Sequence, residues 1–200
     1  MAKYLYDNGM VTRQKLTVET LSGNREISLQ TRGNKVVRAA VDMGKAILSP
    51  EAVPVNLDGE TVISRAVSID GRSYDITAVS MGNPHCVTFM DGVDALDLER
   101  IGPKFEMSPL FPERVNAEFV EVIDRNTLKM RVWERGSGET FACGTGACAV
   151  TVAAVLNGHC DKGTDVRVLL VGGELVVNYT DERVLMTGEA ETVYEGTVEI

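Results

Sequence analysis

Short runs of alternating hydrophobic and polar residues, separated by turn residues, make up most of this chain. Such alternation is typical of β-strands, and two runs around a tight turn indicate a hairpin. We therefore predict hairpins at 15–32, 60–82 and 116–136, a further strand within 35–44, and three strands within 165–188. The predicted hairpin turns are Ser22-Gly23-Asn24, Asp70-Gly71 and Asp124-Arg125-Asn126.

Helical patterns are few. They are predicted at residues 2–8, at 94–101 and most clearly at 145–157, where Gly158 stands in the position that ends many helices. The segment 145–157 is apolar on nearly every side, so it is expected to be buried. A strand-rich chain with one buried helix indicates an α+β fold in which a sheet is rolled around that helix.

Two parts of the chain share one order of elements. Each has a helix end, an Asn-Gly pair, a polar linker, a strand, a glycine turn and a second strand. Asn8-Gly9 matches Asn157-Gly158, and Gly23 matches Gly172, both 149 positions apart. This favours an internal duplication. A counterpart of Cys143 would then precede Met1, so we expect the chain to begin inside the first helix of the earlier copy.

Composition narrows the classes of function. Twenty basic residues against twenty-nine acidic ones give a net charge of −9, without the clustered Lys and Arg that phosphate backbones require, so nucleic acid is not an expected partner. No run approaches the ~18 apolar residues of a membrane-spanning helix. No secretory signal is visible, which favours the cytoplasm. The four cysteines lack C-x-x-C spacing, so no metal site is expected.

The segment "ACGTGAC" places Cys143 where a strand gives way to the predicted buried helix. Gly144 and Gly146 allow a tight turn with room for a ligand beside it. Free N–H groups at a helix start favour anions and can lower the pKa of a cysteine there. Cys143 is therefore either an acid/base group or a small packing residue, and this segment alone leaves both open.

Three other segments carry candidate polar groups. In "RVWERGSGET", Glu134 could lie near the thiol and Arg135 could bind a substrate carboxylate, or both could be a solvated charge pair. In "SMGNPHCV", Asn83 and His85 lie in a predicted turn, where a structural role is the alternative. Asn116 in "FPERVNAEF" offers an amide at a strand start.

Taken in order, these four segments closely resemble diaminopimelate epimerase over essentially the whole chain. The resemblance implies a mixed β-sheet rolled around a central helix in each of two pseudo-symmetric domains. It also implies interconversion of LL- and meso-2,6-diaminopimelate by two cysteines, without pyridoxal phosphate, metal or any other cofactor. Cys143 would be one of that pair, assisted by Glu134 and His85. The implied substrate-binding residues are Asn83, Asn116, Glu134, Arg135, Gly144 and Thr145.

The resemblance also implies an organisation. Residues 1–43, with 189–200 returning to them, would be a remnant of the first domain, and 44–188 the second domain of a cytoplasmic homodimer. The family's other cysteine lies in a C-G-N-G turn upstream of "AKYLYDNG", so we expect this chain alone to be inactive. The alternatives are a proline racemase-like or other paired-cysteine epimerase, a non-catalytic binding or assembly fragment, and one of two complementing chains.

Overall fold

The computed structural model describes residues 1–21 and 23–198 and divides into two compact units. The smaller unit contains Met1–Asp42 and the chain from Thr187 onward, and the larger unit is Met43–Met186. The predicted turn residue Ser22 and the last two positions of the predicted C-terminal return, 199 and 200, lie outside the described residues.

The smaller unit is a short helix with an antiparallel sheet. Helix α1 is Ala2–Asp7, and the strands are β1 (Lys15–Thr20), β2 (Gly23–Arg32) and β3 (Lys35–Asp42). Strand β2 pairs with β1 on one side and with β3 on the other, both antiparallel. The predicted helix 2–8, hairpin 15–32 and strand 35–44 are thus confirmed, within the described residues.

The larger unit is built on a mixed sheet. Its strands follow the order β12-β11-β10-β8-β7-β6-β5-β4, with β9 paired to β8. The pairs β6–β7 and β8–β10 are parallel, while β4–β5, β5–β6, β7–β8, β8–β9 and β10–β11 are antiparallel. The strands are β4 (Arg65–Ile69), β5 (Arg72–Ser80), β6 (Pro84–Phe89), β7 (Asn116–Asp124), β8 (Thr127–Glu134), β9 (Gly138–Thr140), β10 (Asp165–Leu170), β11 (Gly173–Tyr179) and β12 (Val184–Glu189). The division between the two units falls within β12, after Met186.

Helix α3 (Gly144–Leu156) lies in the core of this unit, as its sequence predicts. Every residue from Gly146 to Ala154 is buried, and the helix shares a cluster with strand residues such as Val87, Val120 and Met130. In the part of the chain that the structure describes, no helix is both long and apolar enough to cross a membrane.

The opposite face of the same sheet is covered by helix α2 (Leu98–Glu106), whose Leu98 and Phe105 pack with Ala117 and Phe119 of β7. The prediction of a helix at 94–101 was wrong in its bounds. The side chain of Asp97 accepts a hydrogen bond from the Arg100 N–H at 3.3 Å, which starts the helix at Leu98. Because α2 and α3 cover both faces, the central strands are buried on both sides.

The two Asn-Gly helix ends have the same geometry. Asn8 and Asn157 cap their helices with φ/ψ of −97°/9° and −90°/1°. Each side-chain Nδ2 donates to a carbonyl four residues earlier, of Tyr4 or Ala153, at 2.8 Å. The following Gly9 and Gly158 have φ of 70° and 76°. The predicted repeat therefore extends to side-chain hydrogen bonds.

The hairpins after these helix ends also share one strand register, but the matching residues are not separated by the 149 positions that the sequence predicts. Thr20 pairs with Gly23 in the first hairpin, and Leu170 pairs with Gly173 in the second. Gly23 therefore corresponds to Gly173 and not to Gly172. The linker before the second hairpin is one residue longer than in the first, which shifts the offset.

Candidate active site

Cys143 caps the start of α3. Its backbone is extended, with φ −129° and ψ 109°, and its Sγ accepts a hydrogen bond from the Gly146 N–H at 3.3 Å. The Thr145 hydroxyl lies 3.5 Å from the same sulfur. The residue is only 6% exposed. The structure thus places Cys143 at a helix start, beside Gly144 and Gly146, as the sequence predicts.

The expected lowering of the Cys143 pKa by the helix start is wrong. Burial, and then the nearby Glu118 carboxylate, raise the pKa of the Cys143 thiol to about 11. The hydrogen bonds from Thr145 and Gly146 act in the opposite direction and are outweighed. Desolvation wins because a thiolate at this position loses most of its contact with water.

A chain of polar side chains leads from the start of α3 into the sheet. Asn83 Nδ2 donates to Thr145 Oγ1 at 3.2 Å, and Asn83 Oδ1 lies 3.0 Å from His85 Nε2. His85 Nδ1 lies 2.6 Å from Glu118 Oε1. His85 was expected in a turn but is the second residue of β6, fully buried, because the strand begins at Pro84.

Glu118 is a residue that the sequence interpretation missed. It lies in β7 between buried neighbours and is 0% exposed. Alternation along the strand puts it on the same face as Val120, toward α3. Burial raises the pKa of its carboxyl group. The available signal was an acidic residue in "NAEFVEV", but alternation alone suggests that such a residue faces solvent.

Arg135 and Asn116 form a second group at this end of the sheet. The Arg135 backbone N–H donates to Asn116 Oδ1 at 2.9 Å, and Asn116 Nδ2 donates to the Pro84 carbonyl at 3.0 Å. The guanidinium of Arg135 donates to the Glu113 carbonyl at 3.0 Å in an exposed segment. Asn116 thus ties Arg135 to the start of β6.

Glu134, the last residue of β8, is half-buried and accepts a hydrogen bond from the Thr140 hydroxyl. Its charge is the smallest of the influences that raise the pKa of Cys143. Glu118, which was not predicted, has a larger effect on the thiol than Glu134 does.

The segment that carries Glu134 and Arg135 rests on a further missed residue, Glu106 at the end of α2. Its Oε2 accepts from Trp133 Nε1 at 2.7 Å, and its Oε1 accepts from the Gly136 N–H at 2.9 Å. One nearly buried carboxylate therefore holds both sides of this turn.

The three remaining cysteines, Cys86, Cys148 and Cys160, are buried free thiols. Cys86 packs in the cluster on the α2 side of the sheet, away from the face that carries Glu118. Cys148 lies in α3, and burial raises its pKa to about 12. In the described part of the chain, no three His, Cys, Asp or Glu residues are grouped as metal ligands.

Sequence comparison identifies relatives over the whole chain. The family model described as Diaminopimelate epimerase matches residues 77–193. The chain is 52% identical to the diaminopimelate epimerase of Acetivibrio thermocellus, covering 100% of this chain and 71% of that protein. It is 46% identical to the diaminopimelate epimerase of Methanococcus maripaludis, covering 100% of this chain and 72% of that protein.

Structural comparison identifies related folds at low sequence identity. A probable proline racemase from Agrobacterium radiobacter is 14% identical, with a TM-score of 0.73, over 99% of this chain and 65% of that one. A hydroxyproline epimerase from Agrobacterium vitis is 13% identical, with a TM-score of 0.67, over 94% of this chain and 60% of that one. These likenesses establish the fold alone.

Proposed function

The chain belongs to the diaminopimelate epimerase family, and from that premise we propose that the site around Cys143 is one half of a two-base site for amino-acid epimerisation. The substrate would be 2,6-diaminopimelate, interconverted between its LL and meso forms. The observation that carries the proposal is Cys143 at the start of α3, with its sulfur hydrogen-bonded and its surroundings polar but nearly closed to water.

Epimerisation at an amino-acid α-carbon requires removal of a weakly acidic proton from one face and its return to the other. A thiolate at Cys143 would take the proton, or its thiol would donate one. The hydrogen bonds from Gly146 and Thr145 would stabilise the thiolate form, while burial stabilises the thiol form. Opposed influences of this kind suit a group that must act as both acid and base.

The start of α3 would bind the carboxylate on the reacting carbon. The first N–H groups of a helix have no acceptor within the helix. The N–H of Gly146 donates to Cys143 Sγ and that of Ala147 to the Cys143 carbonyl at 2.9 Å. The N–H groups of Gly144 and Thr145 would then face the substrate, where negative charge builds up as the α-proton leaves.

The other predicted site residues have distinct proposed roles. The Arg135 guanidinium suits the carboxylate at the non-reacting end of the substrate, in the position that Asn116 fixes. Asn83 and Asn116 would contribute amide groups to the substrate, and Glu134 would contact it close to the thiol. His85 is fully buried, so its contribution would pass through Asn83 and Glu118.

We further expect this protein to work in the cytoplasm as a homodimer and to use no resident cofactor, since cysteine thiols can supply the acid/base chemistry. A proline racemase-like activity is the second candidate. It is less favoured because only the fold, at 14% identity, connects this chain to the proline racemase structure.

Substrate protection of the thiol tests the proposal. We expect meso- or LL-diaminopimelate to slow alkylation of Cys143 by iodoacetamide, measured by mass spectrometry of the peptide that contains it. Lysine, which lacks the second carboxylate, and proline serve as matched controls and should protect less. An Arg135→Gln variant should require more diaminopimelate for the same protection. Equal protection by proline, or none by diaminopimelate, would contradict the proposed substrate.

A further inference from the structure

A buried carboxyl group lies next to the start of α3 with one oxygen unpartnered. Glu118 and His85 are both 0% exposed, and Glu118 Oε1 lies 2.6 Å from His85 Nδ1. Among the described residues, none makes a hydrogen bond to Glu118 Oε2. A buried carboxyl oxygen without a partner from the protein is costly, above all when the group is charged.

Hydrogen bonds fix the position of this pair. Asn83 Nδ2 donates to Thr145, which turns Asn83 Oδ1 toward His85 Nε2. His85 Nδ1 in turn holds Glu118 Oε1 at 2.6 Å, so the carboxyl group has a fixed orientation beside the start of α3.

The carboxyl group and the Cys143 thiol face the same small space. A Cβ atom on Gly146 would lie 3.0 Å from Glu118 Oε1 and 3.2 Å from Cys143 Sγ. The missing side chain at Gly146 therefore lets both groups approach this turn of α3. Two negative charges in so small a buried volume repel each other strongly.

The other ionisable side chains near Glu118 belong to three neighbouring elements. His85 and Cys86 belong to β6, Glu134 to β8, and Cys143 to the start of α3. Cys86 lies on the opposite face of the sheet, and Glu134 has its own hydrogen-bond donor in Thr140. The Glu118 carboxyl group and the Cys143 thiol are therefore the two ionisable groups that interact most closely here.

We propose that Glu118 is a positioning residue of this site: its buried carboxylate, held by His85, lies beside the Cys143 sulfur and favours the thiol form of Cys143 over the thiolate. No proton passes between the carboxyl group and the sulfur. The role of Glu118 in epimerisation rests on the proposed function. The interaction between Glu118 and Cys143 does not, because it involves only residues of this chain.

Alkylation of Cys143 by iodoacetamide as a function of pH tests the coupling without any substrate. Glu118→Gln and Glu118→Met cannot carry the charge, so we expect the pH midpoint to fall by at least about one unit relative to the wild type. Alkylation at pH 8 should then be about tenfold faster. Glu118→Asp keeps the charge and should keep a midpoint near that of the wild type.

Glu121→Gln is the matched control, because it makes the same change on the same strand at a residue whose carboxylate faces the Val93 N–H instead. It should leave the profile unchanged. Cys86 and Cys148 report folding, since both are buried and should stay unmodified in a folded protein. If they become alkylated in Glu118→Gln, the pH midpoint of Cys143 is taken from Glu118→Met instead. The proposal is overturned if the pH midpoint of Cys143 alkylation stays the same or rises in the folded Gln and Met variants of Glu118. It is also overturned if Glu118→Asp or Glu121→Gln lowers that midpoint by the same amount. If diaminopimelate failed to protect Cys143 from alkylation, the proposed substrate would be contradicted, but the interaction between Glu118 and Cys143 would not.

Discussion

At the scale of single residues, Gly146 shows how closely the start of α3 is packed. Its hydrogen-only side chain lies where Glu118 from the sheet and Cys143 from the preceding turn converge, and its N–H donates to the sulfur. No other amino acid offers the N–H without also filling this space. The residue therefore serves both the packing and the hydrogen bonding of the sulfur.

Gly146→Ala should destabilise the protein by about 1–3 kcal/mol, because the added methyl group must displace a buried carboxyl group and a buried sulfur. The free energy of unfolding in urea measures this. Gly144→Ala is the matched control, since its methyl group would meet the flexible Met186 side chain, at 3.2 Å, which can move. Equal stability of the two variants would show that the space around Gly146 is not closely filled.

At the scale of elements, α2 holds the turn that follows β8. Gly102 of α2 lies directly against the Trp133 ring, and Glu106 accepts hydrogen bonds from the Trp133 indole and the Gly136 backbone. Asn116 of β7 fixes the Arg135 backbone from the other side. Two elements distant in sequence thus fix the backbone of the turn that carries the guanidinium proposed to bind substrate.

Glu106→Gln should loosen this turn. The amide has one acceptor oxygen where the carboxylate has two, so one of the two hydrogen-bond donors, Trp133 or Gly136, loses its partner, at about 1–3 kcal/mol of unfolding free energy. The ion pair of Glu106 with the half-exposed Arg114 is lost as well, which adds little. Trp133 is the single tryptophan, so its fluorescence emission should also shift to the red. Glu113→Gln makes the same change at an exposed side chain and should alter neither. An unchanged emission and stability in Glu106→Gln would contradict this role.

At the scale of the whole molecule, the positions of the cysteines bear on activity. Two-base epimerisation needs acid/base groups on both faces of the substrate. In the described chain Cys86 lies on the other side of the sheet, and Cys148 and Cys160 are enclosed in the core. None of these three is placed to act opposite Cys143.

We therefore expect the 200-residue chain by itself to leave the α-protons of meso-diaminopimelate unexchanged in D₂O, followed by NMR. The Cys143→Ala variant provides the background rate. If the wild-type chain exchanged protons far above that background, another group of this chain would have to be the second acid/base. A second polypeptide that co-purifies and restores exchange would instead indicate complementing chains.

Sequence alone determined much of the local structure and the family. Alternation and turn residues predicted the hairpins, and the apolar segment 145–157 predicted α3, because strand and helix periods are local properties of the chain. The motifs around Asn83, Asn116, Glu134 and Cys143 indicated the family. The repeat was visible as well, although the sequence matched Gly23 to Gly172, while the extra residue in the second linker makes Gly173 its true counterpart.

Only the tertiary structure decided the electrostatics of the site. The pKa of Cys143 is raised because burial outweighs the local effect of the helix start. His85 meets Glu118 from 33 positions away. Glu118 is buried because α2 and α3 cover both faces of one sheet, whereas alternation suggested a solvent-facing side. Desolvation and long-range contacts depend on which elements pack together, and a local pattern of residues does not contain that information.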